Sequence, residues 1–83
     1  MQKSIFSVYD TKAKTFCTPF FSQNKNTALR DFKHACNDTG SHLFKSPEDY
    51  TLFELGSFDD ESACFFIEPQ PINIGLAIQF KEV

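Results

Sequence analysis

Tyr50-Thr-Leu-Phe-Glu-Leu-Gly-Ser-Phe-Asp-Asp-Glu-Ser-Ala-Cys-Phe-Phe-Ile67 is the stretch on which the fold turns. From Tyr50 to Gly56 the side chains alternate, with Leu52 opposite in sense to Phe53 and Leu55. The polar run Asp59-Asp-Glu-Ser62 then separates this segment from the apolar Ala63-Cys-Phe-Phe-Ile67. Period-two patterning on both sides of a polar turn predicts a β-hairpin.

Upstream, residues 38–48 are rich in Asp, Gly, Ser and Pro and read as a mobile loop, since Pro47 disfavours the α conformation at Ser46. Before that loop, Ala28, Leu29, Phe32, Ala35 and Cys36 recur at spacings of three and four. They predict one amphipathic helix, with Asn26 or Thr27 as its N-cap and the Asn37-Asp-Thr-Gly40 cluster as its stop. Further upstream, Lys3 to Asp10 alternates Ile5, Ser7 and Tyr9 against Phe6 and Val8, and β-type composition resumes over Thr15–Phe21 after the short polar Asp10–Lys14. A first hairpin follows, with Pro19 placing its second strand at a sheet edge or breaking it there.

Downstream, Glu68-Pro-Gln-Pro71 is extended by its prolines. Ile72 to Phe80 reads as a short C-terminal helix with Asn73 as cap, a fifth strand being the alternative. The order ββαββ predicts an α+β fold: a small antiparallel sheet with one amphipathic helix packed on one face. At this length, residues 1–83 form one domain.

Composition narrows the function classes. Eleven Phe and two Tyr within a 41% hydrophobic chain supply bulky side chains enough for a core without disulfides or metal. No apolar run approaches the roughly 20 residues of a membrane-crossing helix, and the N-terminal residues lack the continuous apolar segment of a secretory signal. Cys17, Cys36 and Cys64 are odd in number, unpaired by any CxxC and flanked by apolar residues, so all three read as reduced, buried small hydrophobes. The net charge of −3 divides unevenly: residues 1–45 carry seven bases and three acids, +4, and residues 46–83 one base and eight acids, −7. That division predicts a basic face suited to a polyanion and an acidic face suited to basic partners.

Chemistry-bearing constellations are scarce. His34 and His42 stand at no spacing to Cys or carboxylates that recurs in metal or nucleophile sites, and Gly40, Gly56 and Gly75 are isolated, so no phosphate loop is present. Asp59-Asp60-Glu61 lacks the alternate-residue ligand spacing of a calcium loop and reads as a solvated turn. Neither an enzyme nor a cofactor is expected. What remains is aromatic and basic residues interleaved in the first half: Lys3, Phe6, Tyr9, Lys12, Lys14, Phe16, Phe20, Phe21, Lys25, Arg30 and Lys33. Rings that stack bases beside cations that track phosphates are what single-stranded nucleic acid requires. The competing reading makes each Phe a core or dimer-interface residue. Tyr9 is the foremost stacking candidate, because it ends a strand next to Lys12 and Lys14.

Lys45-Ser-Pro-Glu-Asp-Tyr-Thr-Leu-Phe-Glu-Leu-Gly-Ser-Phe-Asp-Asp-Glu61, with Ser7-Val-Tyr-Asp10, Ala28-Leu-Arg-Asp-Phe-Lys-His-Ala-Cys-Asn37 and the closing Pro71-Ile-Asn-Ile-Gly-Leu-Ala77, resembles the small nonstructural protein of gokushoviruses. These are single-stranded DNA phages of the microvirus family. The resemblance covers most of the chain, and Pro47–Gly56 with the acidic turn is its most specific element. It implies a non-enzymatic accessory of single-stranded DNA synthesis or packaging, working in the host bacterial cytoplasm on the phage genome or with phage or host replication proteins. It supplies no binding residues.

The expected site therefore rests on the physical reading: Lys12, Lys14, Lys25, Arg30 and Lys33 on phosphates, with Tyr9 and Phe21 stacking bases. The rival reading is a protein-interaction module that docks on a phage or host replication protein through Asp59, Asp60, Glu61 and neighbouring acids without touching DNA. Open strand edges and a half-covered sheet predict a homodimer, by edge pairing or face packing.

Overall fold

A computed structural model describes residues 1–81 of the chain; residues 82 and 83, included in the single domain expected from sequence, lie outside the described residues. Strand β1 (Gln2–Asp10) is central. One of its edges pairs in tandem with β2 (Thr15–Phe16) and β3 (Phe20–Ser22), and the other with β4 (Tyr50–Asp59), which in turn pairs with β5 (Cys64–Leu76). Every pairing is antiparallel. Pro19 does both things expected of it: it lies at a sheet edge, and it falls in the gap between β2 and β3.

Helix α1 (Lys25–Cys36) crosses one face of this sheet. Its cap is Asn24, not Asn26 or Thr27: the Asn24 Oδ1 accepts from the backbone N–H of Thr27 at 2.9 Å and from its hydroxyl at 3.1 Å. An asparagine there satisfies a donor that the first turn leaves open, and the helix begins two residues earlier than the apolar spacing alone indicates. Ala28, Phe32 and Cys36 are its buried stripe, and they meet Phe6, Leu52 and Ala77 in the core. Phe20 stacks on Phe6 with ring centroids 5.8 Å apart, and Phe80 meets Phe32 edge-on at 5.9 Å.

Two further expectations change. The segment 38–48 is not a plain loop: Ser41 caps a one-turn helix α2 (His42–Lys45) by accepting from Phe44 N–H at 3.1 Å, and Pro47–Asp49 forms a 3-10 turn. Lys81 sits over the Phe44 ring at 4.3 Å. Residues 72–76 are not helical. Ile72, Asn73, Gly75 and Leu76 pair with Glu54, Phe53, Leu52 and Thr51, so Asn73 caps nothing, and the C-terminal helix shrinks to the 3-10 turn Ala77–Gln79. The free edge of β4 captures this stretch, because pairing there satisfies backbone groups that a short helix would leave open at its ends.

Both hairpins close on the same device. Asp10 and Asp59 each accept at the carbonyl from the N–H four residues on, Lys14 and Ala63, at 2.8 Å. Their carboxylates accept from N–H groups inside the turns, of Lys12 and Ala13 for Asp10 and of Glu61 for Asp59. Lys14 and Ala63 take left-handed conformations with φ of 57° and 61°.

Three irregularities shape the sheet, the smallest being Ile74, left extra between Asn73 paired with Phe53 and Gly75 paired with Leu52. Ile5 pairs with Gly56 but Phe6 with Glu54, which leaves Leu55 as an extra residue in β4. Between Glu54 paired with Ile72 and Gly56 paired with Ile67, the four residues 68–71 of β5 have no β4 partner. The two prolines stand inside this bulge, where the absence of a donor disrupts no ladder.

Candidate nucleic-acid interface

Alternation along β1 divides its side chains between two environments. Phe6 and Val8 face α1, whereas Lys3, Ile5, Ser7 and Tyr9 face away from it. The face away from α1 collects rings from all five strands. Tyr9, Phe16 and Phe53 form one cluster, with centroids 4.8 Å apart for Tyr9–Phe16, 5.6 Å for Phe16–Phe53 and 6.4 Å for Tyr9–Phe53. Phe58 joins Phe65 at 4.8 Å and Phe21 at 5.8 Å in a second cluster. Alongside runs an apolar groove of about 590 Å³, lined by Ile5, Pro19, Phe21, Leu55, Phe65, Ile67, Glu68 and Pro71. Pro71 also borders the hollow of Tyr9, Phe16, Phe53 and Gln70, so the bulge at 68–71 is a shared wall.

Ser7 lies between the two clusters and is fully buried; its hydroxyl donates to the Cys17 carbonyl at 2.6 Å, which ties the segment between β2 and β3 to the sheet.

Cations stand at both ends of this face. At one end Lys3, Ser22, Thr27, Arg30 and Asp31 line a pocket with Phe21. The Ser22 hydroxyl in it has no hydrogen-bond partner among the described residues. At the other end Lys12 and Lys14 lie in the turn that follows Tyr9 and Asp10. Lys12 stands 3.5 Å from Asp49 Oδ2, an oxygen with no other donor among the described residues, so its charge is partly balanced within the chain.

The residues expected from sequence are thus brought together unequally. Tyr9 and Phe21 share one face, Arg30 joins Phe21 at its edge, and Lys12 and Lys14 adjoin Tyr9. Lys25 and Lys33 are exposed on α1, in the layer on the other side of the sheet. Sequence reasoning missed Phe53, Phe58 and Phe65 as members of this face and used Phe16 and Lys3 only as part of a general pattern. The signal for Phe53 was present, since its sense along the strand is opposite to that of the core residue Leu52.

Cysteine placement also departs from expectation: Cys36 is buried, but Cys17 and Cys64 are exposed. Cys17 lies in the gap between β2 and β3, where it lines an open hollow with Ser41, His42 and Leu43, and Cys64 opens the edge strand. The acidic turn is engaged by the chain itself. The Met1 ammonium lies 2.8 Å from Asp60, 3.4 Å from Glu61 and 3.8 Å from Asp59. The Asp60 carboxylate, with Glu61 adding, pushes the amine's pKa up, and the Glu61 N–H, aided by Ser62, holds Asp59 below the usual aspartate value. Among the described residues, no three of His, Cys, Asp and Glu are grouped as metal ligands, and no helix is long and apolar enough to cross a membrane.

The sequence over residues 3–80 matches the family model described as phage ORF5 protein. The chain belongs to the phage ORF5 family. Protein ORF5 of Chlamydia phage 1 is 30% identical to it over 80 residues, which cover 92% of this chain and 79% of that protein. No solved structure matches it. Apart from Gln2, both hairpins and α1 lie within the residues that match the phage ORF5 family, so its sequence pattern and the ring-bearing face share the same span.

Proposed function

We propose that this phage ORF5 protein binds single-stranded DNA in genome replication or packaging, along the sheet face that α1 leaves open. The observation that carries this reading is the placement of two ring clusters on one face, with Lys3 and Arg30 at one end and Lys12 and Lys14 at the other. Lys3 to Tyr9 spans about 20 Å of strand at roughly 3.3 Å per residue. Bases stack on Tyr9, Phe53 and Phe58, and phosphates run past the cations at either end. Lys3, Arg30 and Lys14 supply most of the charge, since Lys12 is shared with Asp49 and Lys25 and Lys33 lie behind the sheet. Stacking does not depend on base identity, so the binding has no strict sequence preference.

The rival docking through Asp59, Asp60 and Glu61 gains less support, because those carboxylates hold the Met1 ammonium.

The test is fluorescence anisotropy of a labelled single-stranded oligonucleotide titrated with the protein at low and moderate salt, beside a duplex control. Binding that prefers the single strand and weakens with salt supports the proposal. Absence of binding at low salt, or equal binding to the duplex, overturns it.

A further inference from the structure

The sheet has two edges, and they differ in how they are protected. On the β2/β3 side the pairing strands are two and three residues long and Pro19 separates them. Short strands and prolines are the usual defences of an edge. On the other side β5 is 13 residues long, and nothing among the described residues pairs with its outer edge. Pro69 and Pro71 guard its middle. Between the left-handed turn residue Ala63 and Pro69, however, lies Cys64-Phe-Phe-Ile-Glu68, an edge segment with no proline and a single charge at its end.

This segment is also the most exposed apolar part of the described chain. Phe65, Phe66 and Ile67 are 60%, 57% and 59% exposed. Phe65 and Ile67 lie on the open face, through their pairing with Phe58 and Gly56. Phe66 pairs with Ser57, itself opposite Ser4, on the face that carries α1, and it is exposed all the same. Apolar side chains therefore stand on both faces of one unguarded edge.

We propose that a second copy of this chain occupies that edge, by antiparallel pairing of β5 with β5 about a two-fold axis at Phe66. The axis stands perpendicular to the sheet, so paired residues share a face. Phe66 then meets Phe66 of the second copy, Phe65 meets its Ile67, and Cys64 meets its Glu68. Pairing ends on each side where Pro69 stands opposite Ala63. The register is set by the free segment itself, because Phe66 is its midpoint. An uncharged apolar strand is complementary to its own reverse, whereas a basic or acidic partner would find no opposite charge along Cys64–Ile67. With Ile72 added, the exposed large side chains of this strand leave on the order of 400 Å² in water. Together with the strand backbone, that approaches the roughly 800 Å² per partner of a stable interface. The resulting continuous sheet sets the two ring-bearing faces side by side. The proposal does not depend on DNA binding.

The test is sedimentation of the full chain without nucleic acid, over a concentration series. A species of twice the 9.5 kDa chain mass is expected. Phe66→Lys, which would set two ammonium groups together at the axis, is expected to give a monomer with an unchanged far-ultraviolet circular dichroism spectrum. Ile78→Lys, at an exposed residue away from this edge, is expected to leave the dimer intact. In a background with Cys17 and Cys64 changed to Ser, Phe66→Cys is expected to link the two copies under mild oxidation, whereas Ser57→Cys is not. A monomer at every concentration, a dimer that survives Phe66→Lys, or no cross-link from Phe66→Cys would overturn the proposal. The failure of DNA binding would not.

Discussion

Gly56 and Phe66 meet backbone to backbone. A methyl group on Gly56 would fall inside van der Waals contact with the Phe66 carbonyl oxygen and only 2.9 Å from Ile67 Cα. Gly56 has φ of 158° and is the residue where β4 recovers its register after Leu55. Gly56→Ala therefore forces β4 and β5 apart. It is expected to destabilise the fold by about 3 kcal/mol, which lowers Tm by more than about 10 °C in a domain of this size. Thermal unfolding followed by circular dichroism checks this, and an unchanged Tm would contradict the close approach.

The two left-handed turn residues invite the opposite change. A non-glycine residue in that conformation costs roughly 1–2 kcal/mol, partly offset by the greater entropy glycine brings to the unfolded chain. Ala63→Gly is expected to stabilise by about 0.5–1 kcal/mol, measured by urea denaturation. Lys14→Gly is expected to give a similar gain while removing a proposed phosphate contact. It should raise Tm and weaken oligonucleotide binding in the same protein, two effects that loss of folding could not produce together.

Placement across the sheet separates the cations into two groups. Tyr9→Ala or Phe53→Ala is expected to weaken single-strand binding by about 1–3 kcal/mol for each base that loses its ring. Arg30→Ala should weaken it and reduce the salt dependence. Lys25→Ala, on the opposite layer, should change affinity little. Anisotropy titrations of the four variants at two salt concentrations check the ordering.

Ser7 is fully enclosed and donates to the Cys17 carbonyl, so Ser7→Ala deprives a carbonyl of its donor. A loss of about 1–2 kcal/mol is expected. Hydrogen exchange at the amides of Cys17 and Thr18 should quicken before that of β4, since the tie holds the edge segment alone.

At the acidic turn, Asp59 should titrate below the ordinary aspartate value, because the Glu61 N–H, with Ser62 after it, favours the ionised form. The sign follows directly. A carboxyl with a lowered folded-state pKa contributes stability above its unfolded pKa and loses it as pH falls through the folded value. The Met1 amine, whose pKa is raised chiefly by Asp60, contributes below the unfolded amine pKa and loses that contribution as pH rises through its folded value. Carbon chemical shifts of the carboxylates across an acid titration check Asp59. A midpoint at or above the ordinary value would count against the turn geometry.

Elements that depend on near neighbours were legible in the order of residues along the chain. Ala28, Leu29, Phe32 and Cys36 carry a helical period within three turns, and Leu52 against Phe53 carries a strand period within adjacent residues. Asp10 and Asp59 carry turn chemistry within four. These local signals were enough for two hairpins, one helix and an antiparallel sheet, and for Tyr9 and Phe21 as rings near cations. The rest depends on register and on layers, which form only when distant segments pack. Leu55 and residues 68–71 have no strand partner because of pairings between segments distant in sequence, and no local period announces such a bulge. Ile72–Leu76 becomes strand because β4 offers an open edge, although its composition suits a short helix as well. Cys64 stays exposed at the free edge of β5, and Cys17 stays exposed in the gap between β2 and β3, beside a hollow that it shares with Ser41, His42 and Leu43. Lys25 and Lys33 part from Tyr9 because α1 and the ring-bearing face lie on opposite sides of one sheet. A sequence places residues along a line, and only folding assigns them to a side.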